Sequence, residues 1–225
     1  MFGGGGGSGG GFGGMGGIHM GGMPGVRIFH NGQPFGGGNP FFQQQMQKPP
    51  PIVKVVDITL EQCYQGCTVP VEIERWVFVD QSMRSIERET IQITIPQGLT
   101  ESDFIMLQGR GNKVNDQLKG DIKIGLNIRN NTIFERHGMD LSVKRKIRLK
   151  EALCGFSFEI QHLNGRTLSI QNQNNRTVIT PNYRHVVPGM GMVREGNQGN
   201  LIIEFELEFP DKLTNEQIEK LREIL

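Results

Sequence analysis

The residues best suited to metal binding or nucleophilic chemistry in this 225-residue chain are three cysteines and five histidines. Cys63 and Cys67 stand four apart, and Cys154 is remote. A structural zinc site wants paired C-x-x-C ligands, so this spacing does not build one. His19, His30, His137, His162 and His185 form no H-x-x-x-H pair and accompany no E-x-x-H motif. His137 lies in the polar turn E-R-H-G and reads as a solvated loop residue. Gly109-Arg110-Gly111 lacks the third glycine and the following Lys-Ser/Thr of a phosphate loop. Asn130-Asn131-Thr132 and Asn175-Arg176-Thr177 match glycosylation sequons but come without a secretory route. The chain therefore reads as a non-enzymatic protein with no metal and no cofactor.

The elements around these residues carry more information. The formal net charge is +1, which argues against duplex DNA or an anionic membrane as partner. No apolar run approaches the ~18 residues of a membrane span. An odd cysteine count and the lack of a signal peptide point to a reducing, intracellular compartment, and so to a cytoplasmic protein. Residues 1–47 hold 19 of the 32 glycines and one basic residue, Arg27. Such a segment buries too little apolar surface to offset chain entropy, so it is expected to be disordered. Phe2, Phe12, Phe29, Phe35, Phe41 and Phe42 punctuate it, giving a tether with sticky spots or a regulatory segment that occupies a binding site. Only Val26-Arg27-Ile28-Phe29-His30-Asn31-Gly32 shows local pattern, that of a short docking motif. Lys48-Pro49-Pro50-Pro51 then marks a boundary in extended polyproline conformation.

From Ile52 the pattern is strand-like and repeats once. Ile58-Thr59-Leu60 through Val71 aligns without gaps on Ile147-Arg148-Leu149 through Ile160, with Gly66 on Gly155 and Cys63 on Ala152. A repeat this long implies two copies of one domain rather than a solenoid, and packing accounts for the cysteines. In the first copy Leu60–Tyr64 forms a helical turn, after which Val69, Val71 and Ile73 share one strand face. Ile91, Ile93 and Ile95, then Phe104–Leu107, then Ile122–Ile128 complete about five strands near residues 52–130. In the second copy Lys150–Cys154 is the helical turn and Phe156, Phe158 and Ile160 share a face. Asn164-Gly165 marks a hairpin, and Leu201–Phe209 alternates. Thr214 and Gln217 form a capping box that opens a terminal helix. Ile218, Leu221 and Leu225 line one face of it, which needs a partner in the protein's own core or in a second subunit. The face bearing Val69, Val71 and Ile73 is core by pattern, or an open groove for an extended peptide.

The chain resembles the DnaJ, or J-domain, co-chaperone family. A Gly/Phe-rich segment precedes D-I-T-L-E-Q-C-Y-Q-G, I-T-I-P-Q-G, F-I-M-L-Q-G-R-G-N and G-D-I-K-I. F-E-R-H-G-M-D-L, I-R-L-K-E-A-L-C-G-F, L-N-G-R-T-L-S-I and G-N-L-I-I-E-F-E-L-E-F-P-D-K-L follow in family order. The resemblance implies a mostly β fold: two tandem β-sandwich-like domains with short helices and a C-terminal dimerisation helix. It implies residues 52–135 as a client-binding first domain, 136–211 as a second domain and 212–225 as the helix. It also implies a homodimer that binds unfolded client polypeptides, prevents their aggregation and passes them to a DnaK-type heat-shock chaperone. No His-Pro-Asp motif occurs, so the chain by itself is expected not to stimulate that partner's ATPase. The C-x-x-C-x-G-x-G zinc repeats of one subclass are missing too, as in the zinc-free subclass. By motif matching, Val69, Val71, Ile73 and Phe134 would line the client groove, and Ile218, Leu221 and Leu225 the dimer contact. Relatives hold their partner's acidic tail with lysines in this groove region, where this chain has Val69 and Glu72. The alternative is a β-rich assembly adaptor that kept the fold and lost the chaperone cycle.

Overall fold

The computed structural model describes residues 26–30, 33–34, 48–80, 83–172 and 177–225. Strands dominate, as the period-two pattern requires. β1 (Val26–His30) and β2 (Gln33–Pro34) precede β3 (Ile52–Thr59), α1 (Leu60–Gln65), β4 (Cys67–Phe78), β5 (Arg84–Ile95), β6 (Asp103–Leu107) and β7 (Ile122–Arg129). The second half runs β8 (Glu135–His137), β9 (Asp140–Arg148), α2 (Leu149–Cys154), β10 (Ser157–Gln161), β11 (Thr167–Gln171) and β12 (Arg184–Val187). β13 (Val193–Arg194), β14 (Asn197–Gln198), β15 (Leu201–Glu208) and α3 (Asn215–Ile224) complete it.

The duplication is visible in the topology. In the first copy β3 pairs parallel with β7, which pairs antiparallel with β6. In the second β9 pairs parallel with β15, which pairs antiparallel with β12. The hairpin β4–β5 corresponds to β10–β11. Each copy's helix has six residues and ends at a glycine with positive φ, Gly66 at 74° and Gly155 at 101°. That backbone region favours glycine, which explains why the glycine keeps its place in both copies. Cys63 and Ala152, aligned in sequence, are both buried.

Alternate residues of these strands fill the core. Ile73, Ile91, Ile93 and Ile95 of the hairpin bury with Ile105, Leu107, Ile122 and Ile124 of the first sheet. Leu141, Val143, Leu201, Ile203 and Phe205 do the same in the second half. At about 25 cal/mol per Å2 of apolar surface, this burial is the main term holding each copy together.

The two copies differ at their sheet edges. The first sheet runs β2-β1-β6-β7-β3 and the second β12-β15-β9-β8. In the second copy β8 covers the outer side of β9. Its counterpart β3 has no strand on its outer side among the described residues. At the opposite edge the difference reverses: β1 covers β6, whereas the outer side of β12 is bare among the described residues.

Two expectations change here. The segment 1–47 is not wholly irregular, because Val26–His30 and Gln33–Pro34 form strands; the rest of it lies outside the described residues. An alternating Val-x-Ile pattern meeting an open strand edge supplies the physical reason. His137 sits in strand β8 rather than a loop, with Nε2 3.0 Å from Ser142 Oγ.

Candidate functional site

The site predicted from sequence centres on β4, which α1 launches. Thr59 caps α1: its hydroxyl accepts from the Gln62 N–H at 3.2 Å, and the Gln62 side chain accepts from the Thr59 N–H at 2.9 Å. Cys63 is fully buried, with Sγ 3.0 Å from the Leu99 carbonyl oxygen. Burial pushes its thiol up from the ordinary cysteine value, and the Arg136 guanidinium opposes that shift only in part. The helix therefore fixes the start of β4 by capping and packing.

Val69, Val71 and Ile73 share one face of β4, as alternation predicts. Val69 is half-buried, and Val71 and Ile73 are 7% and 1% exposed. Phe134, 2% exposed, lies against the His162 ring with centroids 5.7 Å apart. Three of the four residues are thus buried in the core, and Val69 is only partly buried against it. Ile52 and Val56 of β3 and Cys67 of β4 are partly buried against the same core. A cavity of about 350 Å3 opens at the foot of the hairpin, lined by Gly66, Cys67, Thr68, Thr94, Ile95 and Gln97 among others. Val53 and Val55 of β3 are 62% and 67% exposed beside the bare edge. Glu72 is exposed on β4, and the strand carries no lysine.

Sequence reasoning missed a set of polar residues that join the two copies. Asp103, at the start of β6, is 1% exposed. Its carboxylate accepts from Arg194 Nη1 at 3.0 Å and Nη2 at 3.3 Å. It also accepts from the Thr100 N–H at 2.6 Å and the Thr100 hydroxyl at 2.9 Å. Arg136 donates to the carbonyls of Leu99 and Gly98 at 2.7 and 2.8 Å. Gln65 Nε2 donates to the Leu163 carbonyl at 2.8 Å. The buried His162 ring meets Tyr64 edge-on at 5.3 Å, and its Nε2 is 2.8 Å from the Met190 carbonyl oxygen. Burial raises the Tyr64 hydroxyl above its usual value. These contacts fix the first copy against the second. No local pattern in the sequence marks these residues: Asp103 follows Thr100-Glu101-Ser102 and Arg194 precedes Glu195-Gly196.

α3 carries the predicted capping box of Thr214 and Gln217. None of its residues is buried: Ile218 and Leu221 are half-buried, and Ile224 and Leu225 are 79% and 89% exposed. Its apolar residues are thus available to another surface.

No cluster of His, Cys, Asp or Glu able to hold a metal occurs among the described residues. No helix among them is long and apolar enough to cross a membrane.

Residues 52–210 match the family model described as the DnaJ C terminal domain. The chain belongs to the DnaJ C-terminal domain family. It is 33% identical over 215 residues to Protein psi1 of Schizosaccharomyces pombe, covering 88% of this chain and 55% of that one. It is 34% identical over 142 residues to Chaperone protein dnaJ 3 of Arabidopsis thaliana, covering 62% and 34%. A DnaJ homolog subfamily A member 1 homolog of Dictyostelium discoideum is 27% identical over 190 residues, covering 84% and 41%. The chain spans between about a third and just over half the length of these relatives.

Proposed function

We propose that this chain is the client-binding part of a DnaJ-type co-chaperone. Extended apolar segments of unfolded polypeptides dock on the first copy, against Val69 over the floor of Val71, Ile73 and Phe134. The observation that carries this reading is the outer edge of β3, bare among the described residues and flanked by exposed Val53 and Val55, where the second copy places β8. An unpaired edge beside apolar side chains is what strand addition needs: backbone hydrogen bonds supply affinity and alternate side chains select the sequence. The covered edge in the second copy makes that copy the spacer. Ile218, Leu221 and Leu225 of α3 join two chains, so that two grooves act together and gain avidity. Clients then pass to a DnaK-type chaperone.

The test is suppression of aggregation of a heat-denatured model client. Val55→Lys and Val69→Lys place charge at the edge and the rim, and both are expected to weaken suppression several-fold with little change in the urea midpoint. Phe134→Ala is the contrasting control: deleting a buried ring costs about 3–5 kcal/mol, so its first effect is on stability. Unchanged suppression by a folded Val55→Lys, Val69→Lys double variant would show the groove is elsewhere.

One observation favours a second reading for the hand-over step. Glu72 faces solvent where an acidic tail would need a cation, and like charges oppose binding. An adaptor with one tight partner, rather than a chaperone with many weak clients, fits that feature. Binding of a panel of unrelated apolar peptides supports the chaperone; binding of one alone supports the adaptor.

A further inference from the structure

We infer that the outer edge of β6 is a separate strand-acceptor site, and that the chain's own Val26–His30 is its built-in occupant. This site lies at the opposite edge of the sheet from β3 and goes beyond the client groove proposed above. Five consecutive residues of β1 pair with β6, from Val26 opposite Leu107 to His30 opposite Asp103. The duplication supplies an internal control. β12 holds the place of β6 in the second copy, and among the described residues its sheet carries no strand on that outer side. A covering strand is therefore an addition to this fold and not a requirement of it.

The register states which peptide the edge takes. Val26 and Ile28 stand opposite Leu107 and Ile105, which belong to the buried core face of β6. Phe29 stands opposite Phe104, whose ring has Lys123 Nζ 4.0 Å from its centroid. Exposed Arg27 stands opposite Met106. The ligand class is thus an extended polypeptide with apolar residues at alternate positions, followed by an aromatic one. In residues 1–47, otherwise dominated by glycine, Val26–Phe29 is the one stretch with that pattern. β12 offers a poorer surface, because Arg184 and Val186 are exposed and His185 and Val187 only half-buried.

Because the occupant belongs to the same chain, its effective concentration is on the order of mM. A free peptide of micromolar affinity is then excluded until the occupant is removed. The experiment uses the full chain and a labelled peptide of residues 24–34, with a scrambled peptide of equal composition. Ile28→Pro removes a backbone donor from β1; Ile28→Asp keeps the donor and breaks the apolar alternation. Both are expected to speed amide hydrogen exchange in Asp103–Leu107 and to raise apparent affinity for the peptide by about 100-fold or more. Saturating peptide should restore slow exchange in that strand, and the scramble should not. Arg27→Lys should behave as the unsubstituted chain. Unchanged β6 exchange in Ile28→Pro, or no peptide binding to either Ile28 variant, overturns the proposal. So does unfolding of the first copy by Ile28→Pro, which would make β1 an integral strand.

Discussion

Removal of the Arg194 guanidinium tests whether the two copies are held as one body. The Asp103 side chain is 0% exposed and Arg194 19%, so the pair sits largely out of water. Arg194→Ala removes the guanidinium from a buried carboxylate that also accepts from the Thr100 N–H and hydroxyl. Breaking a buried pair from one side costs about 3–5 kcal/mol. With a urea dependence of about 2 kcal/mol per molar, the midpoint should fall by roughly 1.5–2.5 M. Trp76, the only tryptophan, lies on β4 and reports on the first copy, whereas far-ultraviolet dichroism reports on both. The two probes should coincide in the unsubstituted chain and separate in Arg194→Ala. Asp103→Leu combined with Arg194→Leu should recover part of the loss, giving a coupling of about 1–3 kcal/mol. Shifts under roughly 0.5 M for both single variants, about 1 kcal/mol, would refute the argument that this pair locks the copies. Strict additivity in the double variant would refute it equally.

Gly98→Ala should also loosen that joint. A Cβ there would lie 2.3 Å from the Val193 carbonyl oxygen, at a φ of +75°; the left-handed backbone alone costs ~1–3 kcal/mol, read as a lower unfolding midpoint. Thiol labelling should find Cys154 first and Cys63 only on unfolding, because Cys154 is exposed while Cys63 is buried with its thiol pushed up. Asp57 is held below the usual carboxylate value by the Asn127 side-chain amide and by Arg129. Its contribution is therefore full above about pH 3.9 and fades as pH falls through the lower folded value, so Asp57→Asn should differ from the parent at pH 7 and converge with it in acid. If α3 joins two chains as proposed, Leu221→Glu should lower the mass seen in sedimentation velocity to that of one chain; an unchanged mass would exclude α3 as the contact.

The strands that bury one face were legible because alternation survives in the letters: Ile122–Ile128 and Leu201–Leu207 read directly. The hairpin β4–β5 was read too short. Beyond Ile73 and Ile91 it leaves the core, and ion pairs replace apolar alternation, with Arg75 on Glu87 and Glu89, and Arg88 on Glu74. Cross-strand pairs of this kind contribute only about 0.2–1 kcal/mol each and leave no hydrophobic period to detect. Arg84 over the rings of Trp76 and Phe78 was invisible for the same reason. Motif matching singled out Val69, Val71, Ile73 and Phe134, but did not show that the last three are buried. Alternation says which residues share a face and not how far that face is covered. The joint between the copies was illegible, because Asp103 and Arg194 lie 91 positions apart and belong to no local pattern.

The parallel pairing of β3 with β7 has a consequence in time. Ile52 meets Ile122, seventy residues later in the chain, and every other pair in that ladder has the same separation. At a synthesis rate of ~5–20 residues per second, β3 leaves the ribosome roughly 4–14 s before its partner exists. For that interval its valines and isoleucines have no ladder to join. Such non-local closure is slow even in a complete chain. During its own synthesis, this protein thus passes through a state in which an extended apolar strand waits for an edge.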